Sequence, residues 1–235
     1  MSRRGAVLLH GKWDGPDGAI APLAEALAGC GLTVRRPHCC WSARRHYDVR
    51  FDQAIAEIGG ETKALRAQGC DQVLLGGHSL GANAVLAAAA HGVAADALLL
   101  LAPAHRPERL HAAGMTAAAI ARARAADPTC RMRLPDFNRA QRRLLRFRAE
   151  VWLSFFDPAG AAVMPRSARR LRPARPVLWL DTTVDADADD VFDLLPPHPQ
   201  NRRMTLDCGH ADIPSAAIDE SRRWLDSLEP PRWTT

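Results

Sequence analysis

The stretch QVLLGGHSLGANAVLAAAA, residues 72–90, decides the fold, because it joins two different backbone periodicities across one tight turn. Residues 72–75 form a short aliphatic run typical of a buried strand, and residues 80–91 are alanine-rich and predict a helix that Gly92 ends. Between them, Gly77-His78-Ser79-Leu80-Gly81 has the pattern Gly-x-Ser-x-Gly. Glycine is expected at both flanks where a turn leaves no room for a side chain, and the serine hydroxyl then projects above the sheet. The stretch predicts a strand, a strained turn and a helix.

Similar strands and helices alternate on both sides of this unit. Aliphatic runs at residues 5–9, 32–36, 97–102, 177–180 and 203–206 predict further strands. Helical spacing of apolar residues predicts helices over residues 18–28, 51–68 and 214–228, with Gly59-Gly60 as a weak point in the second. Strands that alternate with helices predict an α/β protein with a doubly wound, mainly parallel sheet of about six strands.

Residues 104–175 interrupt this alternation with arginine-rich sequence. Residues 112–125 and 138–155 have helical patterns, and prolines mark the joints between them. Open α/β sheets bind ligands at the carboxyl ends of their strands. We therefore expect a core of residues 1–103 and 176–235, with residues 104–175 inserted as a helical cap over that edge.

Three other post-strand positions carry residues that suit the chemistry of a reactive serine. The strand at 177–180 leads into Asp181-Thr182-Thr183-Val184-Asp185, and the strand at 203–206 is followed by Asp207-Cys208-Gly209-His210. The first strand ends in His10-Gly11-Lys12. A serine hydroxyl is a weak nucleophile unless a base removes its proton and an acid orients that base. The order serine, aspartate, histidine provides both groups.

With these motifs the sequence resembles the α/β-hydrolase superfamily over nearly its whole length. The resemblance implies Ser79 as nucleophile, His210 as general base and then acid, and Asp185 as the orienting acid. It implies an oxyanion hole from the backbone N–H groups of Lys12 and Leu80. It also implies a minimal fold that lacks the first strands, and a carboxylic ester hydrolase that acts through an acyl-enzyme without a metal or organic cofactor. An acyl thioesterase or acyltransferase with the same triad is an alternative.

The acid is the least determined member of the triad. The family commonly has a glycine two to four residues before the acid, where this chain has Thr182. Spacing from the strand favours Asp185, while Asp181, Asp187, Asp189 and Asp190 crowd the same loop.

Four aromatic side chains lie near the predicted position of Ser79. Trp13, Trp41 and Tyr47 follow the first two strands, and His78 takes the variable position of the turn. Such residues can line a substrate pocket. Ordinary packing of loops onto the core explains them equally well.

The net charge of +5 is unevenly distributed. Residues 104–175 contain 16 arginines and five acidic residues, a net charge of +11, and the remainder carries −6. The basic segment could attract an anionic acyl substrate, or it could be a solvated helix face. No nucleic-acid-binding motif accompanies the arginines. A non-catalytic binding protein that uses this segment is the competing class.

Other classes of protein find little support. Ser2-Arg3-Arg4 precedes too short an apolar run for a secretory signal, and no run approaches the length of a bilayer crossing. The six cysteines have no Cys-x-x-Cys spacing, and residues 185–196 lack the glycine and glutamate of a calcium loop. We expect a cytoplasmic protein with a small-molecule acyl substrate, no metal site, no membrane partner and no nucleic acid. The oligomeric state is left open.

Overall fold

The structure, a computed structural model, describes residues 3–184 and 191–228. Its strands are β1 (Arg4–Leu9), β2 (Thr33–Arg35), β3 (Gln72–His78), β4 (Ala97–Leu101), β5 (Arg131–Asn138), β6 (Gln141–Arg148), β7 (Val177–Thr182) and β8 (Arg202–Leu206). Its helices are α1 (Ala21–Gly29), α2 (Phe51–Ala67), α3 (Leu80–Ala90), α4 (Pro107–Ala112), α5 (Ala117–Ala125), α6 (Ala149–Phe156), α7 (Met164–Arg170), α8 (Ile213–Ala216) and α9 (Ile218–Ser227). A short 3-10 turn covers Phe192–Leu194.

Six strands form one parallel sheet in the order β2-β1-β3-β4-β7-β8. The chain runs outward from β1 to β2, and then returns to β3 and continues in the opposite direction. This reversal leaves a crevice between the carboxyl ends of β1 and β3, where open α/β sheets place their ligands. The predicted fold class, a doubly wound and mainly parallel sheet of about six strands, is confirmed.

Helices cover both faces of the sheet, and each face has its own apolar cluster. On one face α1 and α9 contribute Leu23, Leu27 and Trp224 to a cluster against β1 and β4. On the other face lies α3, whose residues from Leu80 to Ala89 are all buried. Alanine suits this helix because small side chains allow it to pack closely against the sheet and two neighbouring helices.

The inserted segment differs from the prediction of a purely helical cap. Residues 141–148, predicted as the first half of a helix, form β6, which pairs antiparallel with β5, and the helix begins only at Ala149. The buried Leu134 and Phe147 face inward from this hairpin, whereas the exposed Arg133 and Arg146 lie opposite each other on its outer side. Tertiary packing therefore overrides the helical propensity of the sequence.

Two other predicted helices are divided in the structure. The pattern at residues 112–125 splits because α4 ends at Ala112, Gly114 takes a left-handed conformation (φ 73°), and α5 begins only at Ala117. The last helix is divided at Ala217 into α8 and α9. In the described part of the chain, no helix combines the length and apolar character that a membrane crossing needs.

The insertion and the sheet share one hydrophobic cluster. Val151, Trp152 and Phe155 on α6 are fully buried in it. The ring of Phe155 lies 5.0 Å from that of Tyr47 and 5.1 Å from that of Phe51. Phe51 is the first residue of α2, and Tyr47 lies in the loop before that helix. The apolar stripe of α6 therefore attaches the insertion to the core.

Candidate active site

Ser79 occupies the sharp turn between the end of β3 and the start of α3. Its backbone has φ 57° and ψ −120°, a conformation that costs a non-glycine residue about 1–3 kcal/mol. The Ser79 N–H donates to the Leu101 carbonyl (2.9 Å), and the Ser79 carbonyl accepts from the N–H groups of Ala82 (3.0 Å) and Ala104 (3.2 Å). Bonds to β4 and to the loop that follows it therefore hold the strained residue in place.

The two glycines of the motif have no space for a side chain. A Cβ atom on Gly77 would lie 2.4 Å from the backbone of Gly81, and one on Gly81 would lie 2.7 Å from the carbonyl oxygens of Leu9 and His10. These neighbours are backbone atoms and cannot move aside cheaply. The close approach places the turn directly against the end of β1.

The loop after β1, predicted to hold the oxyanion, lies beside Ser79. A Cβ on Gly11 would be 3.4 Å from the Ser79 Cβ. The Cys39 N–H donates to His10 Nε2 (3.1 Å), so the neutral ring carries its proton on Nδ1, which donates to the Gly11 carbonyl (2.8 Å). Burial lowers the pKa of His10, which favours this neutral form. His10 therefore shapes the loop.

The two residues predicted to provide the oxyanion donors both line the cavity at Ser79. Leu80 is the first residue of α3, so no carbonyl within the helix can accept its N–H. Lys12 lines the same cavity as Ser79 and Leu80. The amino end of α3 also carries the positive end of the helix dipole, which favours negative charge there.

His210 follows β8 and is almost fully buried beside the turn. The His78 Nε2–H donates to the His210 carbonyl (2.8 Å), and the centroids of the two rings are 4.8 Å apart. His78 therefore ties the His210 loop to the turn that carries Ser79. Both histidines and Ser79 line one cavity.

The predicted acid Asp185 lies outside the described residues, as do Asp187, Asp189 and Asp190. Asp181 is described and lies within β7, where it accepts hydrogen bonds from Trp179 Nε1 (2.8 Å) and Arg203 Nε (2.9 Å). Each of its carboxylate oxygens therefore already accepts a bond from a group of the sheet.

The cavity above Ser79 has two lobes, of about 500 and 540 Å³. Both are lined by Ser79, His210, Lys12 and the tip of the hairpin at residues 138–140. The first lobe extends along residues 102–106 to Arg109, Leu110, Phe137 and Val184, and the second along Gly11, Asp14, Ala19, His78 and Ala211. Two lobes that meet at one serine offer separate spaces for two parts of a ligand.

The predicted pocket residues fall into two groups. His78 lines the second lobe, but Trp13, Trp41 and Tyr47 do not line either lobe in the described structure. Trp41 Nε1 donates to the His10 carbonyl (2.9 Å), while Trp13 Nε1 and the Tyr47 hydroxyl donate to Asp136 (2.7 and 2.8 Å). These three aromatics build the loops behind the cavity.

Asp136 joins the insertion to these loops through a buried ion pair. Its Oδ1 accepts from Lys12 Nζ at 2.7 Å, and both side chains are almost completely buried. Burial alone would raise the pKa of Asp136, but the Lys12 ammonium and the donated hydrogen bonds bring it below its ordinary value. Burial lowers the pKa of Lys12, and the carboxylate of Asp136 opposes that shift.

His105 borders this pair and lines the first lobe. Its Nε2–H donates to the Phe155 carbonyl (2.8 Å), and its Nδ1 accepts from Lys12 Nζ (3.3 Å). Burial and the neighbouring ammonium lower the pKa of His105 to about 3. The imidazole is therefore neutral at physiological pH.

The order of the strands, the strained serine turn and the post-strand histidine agree with a match to a family model. The model of the alpha/beta hydrolase family matches residues 6–224. The chain belongs to the alpha/beta hydrolase family. The resemblance inferred from the sequence motifs is thereby confirmed, and the family places the protein among the hydrolases.

Solved structures of other alpha/beta hydrolases share the fold at low sequence identity. A structure from work on LipS and LipT, two metagenome-derived lipolytic enzymes, has TM-score 0.66 and 16% identity over 97% of this chain and 95% of its own. The alpha/beta hydrolase GrgF from Penicillium sp. has TM-score 0.64 and 16% identity over 96% and 89%. Est1E from Butyrivibrio proteoclasticus has TM-score 0.61 and 13% identity over 96% and 90%. Among curated proteins, no sequence matches significantly.

Sequence reasoning missed Asp136 and the hairpin that carries it in this alpha/beta hydrolase. The side chains that bind Asp136 lie 89 to 124 residues away in the chain, so no local pattern marks it. Its position among 16 arginines is only a weak signal, because the same segment contains four other acidic residues. Within the ranges 3–184 and 191–228, no three His, Cys, Asp or Glu residues are grouped so as to hold a metal ion.

Proposed function

We propose that this alpha/beta hydrolase cleaves a carboxylic ester or a related acyl bond of a small molecule through an acyl-enzyme, with Ser79, His210 and Asp185 as its triad. The observation that carries the proposal is the strained backbone of Ser79, which faces a cavity that His210 also lines. Strain of this kind persists only where the surrounding structure enforces it, and it is concentrated at functional sites.

The proposed reaction uses only groups of the chain. Ser79 Oγ attacks the acyl carbon while His210 takes its proton, and the N–H groups of Lys12 and Leu80 bind the oxygen that becomes negative. Collapse of the tetrahedral intermediate expels the alcohol, which receives the proton from His210. A water molecule repeats the two steps and releases the acid.

Asp185 is proposed as the acid because it lies three residues beyond the end of β7, in the expected loop. Asp181, the alternative that the structure describes, is engaged by Trp179 and Arg203. We expect Asp185→Asn to lower kcat by about 10⁴-fold, as loss of the orienting acid does in other triads. Asp181→Asn should mainly lower stability. A large loss of kcat in Asp181→Asn but not in Asp185→Asn would assign the role of the acid to Asp181.

Covalent labelling by a fluorophosphonate probe tests the nucleophile. Wild type should be labelled and Ser79→Ala should not, while Ser215→Ala, which changes an exposed serine, serves as the matched control. Undiminished labelling of Ser79→Ala would refute the assignment.

A panel of nitrophenyl esters and acyl thioesters then separates the alternatives. Faster turnover of thioesters would favour a thioesterase, and acyl transfer to an added alcohol would favour a transferase. If neither the probe nor the panel reports activity, a non-catalytic binding protein is the better interpretation.

A further inference from the structure

Asp136 is not one of the proposed catalytic groups, yet its carboxylate binds the loops that border Ser79. It lies on β5 in the inserted hairpin and is fully buried. Its Oδ1 accepts from Lys12 Nζ (2.7 Å) and from the Phe137 N–H (2.9 Å). Its Oδ2 accepts from Trp13 Nε1 (2.7 Å) and the Tyr47 hydroxyl (2.8 Å).

Three consecutive residues of β5 hold Lys12 by both its side chain and its backbone. Besides the bond to Asp136, Lys12 Nζ donates to the Phe137 carbonyl (2.7 Å), and Asn138 Nδ2 donates to the Lys12 carbonyl (3.3 Å). A residue anchored at its carbonyl and at the end of its side chain has little freedom to rotate its own N–H. That N–H is one of the two proposed oxyanion donors.

The next residue is held from two sides as well. Trp13 has a left-handed backbone (φ 61°), which is uncommon for a large side chain and needs support from its surroundings. Its N–H donates to the Trp41 carbonyl (3.1 Å), and its indole donates to Asp136. The core thus holds one side of this turn, and the insertion holds the other.

We propose that Asp136 is a positioning residue through which the inserted hairpin holds the Lys12 N–H in the oxyanion hole. This inference rests on the proposed function. Stability alone explains the pair poorly, because a buried ion pair is often no more stabilising than apolar residues of the same volume. Geometry at an oxyanion hole matters strongly, since a displacement of about 1 Å can cost about 10²-fold in rate.

Asp136→Asn tests the proposal with little change of shape. The new amide group would put N–H donors where one carboxylate oxygen accepts, and the Lys12 ammonium would lose its counter-charge. We expect kcat to fall roughly 10- to 100-fold, while KM for a neutral ester changes by less than about twofold. The inhibition constant of an alkyl boronic acid, whose tetrahedral adduct places an oxygen in the hole, should rise by the same factor as kcat falls.

A double variant separates positioning from folding. In Lys12→Met/Asp136→Asn no buried charge is left unpaired, the amide oxygen can accept from Trp13 or Tyr47, and the backbone N–H of residue 12 remains. We expect this protein to regain the thermal midpoint that Asp136→Asn loses, while kcat stays low and boronate binding stays weak. Asp157→Asn, which removes the partner of Arg124 elsewhere in the insertion, is the matched control and should leave all three quantities unchanged.

Each outcome decides the proposal. Parallel changes in kcat and boronate affinity with an unchanged KM support it, whether they are seen in the single or the double variant. Wild-type kcat in a folded variant, or a loss of kcat without a change in boronate affinity, would overturn it. Failure of the proposed function looks different, because wild type would then show no turnover that depends on Ser79.

Discussion

Acid should destabilise this hydrolase through His105, whose imidazole is buried between a cation and a carbonyl. In the folded protein its Nδ1 accepts from Lys12 Nζ and its Nε2–H donates to Phe155, so a second proton would have to enter against the ammonium. Among the described residues, Asp136 is the carboxylate that favours the protonated form, and burial and Lys12 outweigh it, so that the pKa of His105 falls from 6.5 to about 3. His105 therefore binds a proton near pH 6.5 in the unfolded chain, but only near pH 3 in the folded protein.

The size of the effect follows from this difference in pKa. Stability from His105 is complete above the pKa of the unfolded chain and is lost as the pH falls from 6.5 towards 3. The slope over that window is about 1.4 kcal/mol per pH unit for one proton. Between pH 7 and pH 5, His105 alone should lower the free energy of unfolding by about 2 kcal/mol.

His105→Asn removes the titrating group, keeps an acceptor for Lys12, and suits the left-handed backbone of this residue (φ 70°). Urea unfolding followed by tryptophan fluorescence at pH 7 and pH 5 gives the loss of stability on acidification for each protein. We expect that loss to be about 2 kcal/mol smaller in His105→Asn than in wild type. His46→Asn is the matched control, because His46 is exposed and also left-handed (φ 49°), and it should behave as wild type. Equal losses in wild type and His105→Asn would refute the reasoning.

Two further predictions concern the serine turn and the charge at the cavity. Gly81→Ala should cost about 2–3 kcal/mol of unfolding free energy because its Cβ meets backbone oxygens of β1 and the loop after it. Gly60→Ala, which meets no atom within 4 Å in α2, should gain up to about 1 kcal/mol in the same urea titration. Arg139 lines both lobes, so Arg139→Gln should lower kcat/KM for a carboxylate-bearing ester about two- to threefold relative to a neutral one at low salt. Arg170→Gln, on the exposed side of α7, should leave that ratio unchanged. Equal ratios in both variants would mean that Arg139 has no role in substrate choice.

The segments that sequence reasoning predicted well are those whose neighbours lie nearby in the chain. The unit around Ser79 is one: the strand, the glycines and the alanine-rich helix all satisfy constraints that act within residues 72–90. The hairpin at residues 131–148 is the opposite case. Its arginines and adjacent leucines fit a helix locally, and only the burial of Leu134 and Phe147 against the core makes two strands favourable.

The aromatic residues show the same division. The sequence predicts loop positions for Trp13, Trp41 and Tyr47, and all three lie outside helices and strands in the structure, but the pattern does not distinguish a cavity wall from a packed loop. In the structure the Asp136 carboxylate accepts hydrogen bonds from Trp13 and Tyr47. These two side chains therefore contact the insertion and do not line the described lobes of the cavity. No local sequence pattern predicts the contact between residues 13 and 136, which lie 123 positions apart.

By itself the sequence determined the alternating architecture, the parallel sheet and the turn that carries Ser79, because hydrophobic periodicity and glycine sterics act over a few residues. The tertiary structure alone decided how the basic insertion meets the core. There a single buried aspartate pairs with Lys12 and fastens the loop next to Ser79, while burial and the Lys12 ammonium keep His105 neutral. Charges shift one another only when folding brings them together and removes the water between them, so these properties exist only in the packed molecule.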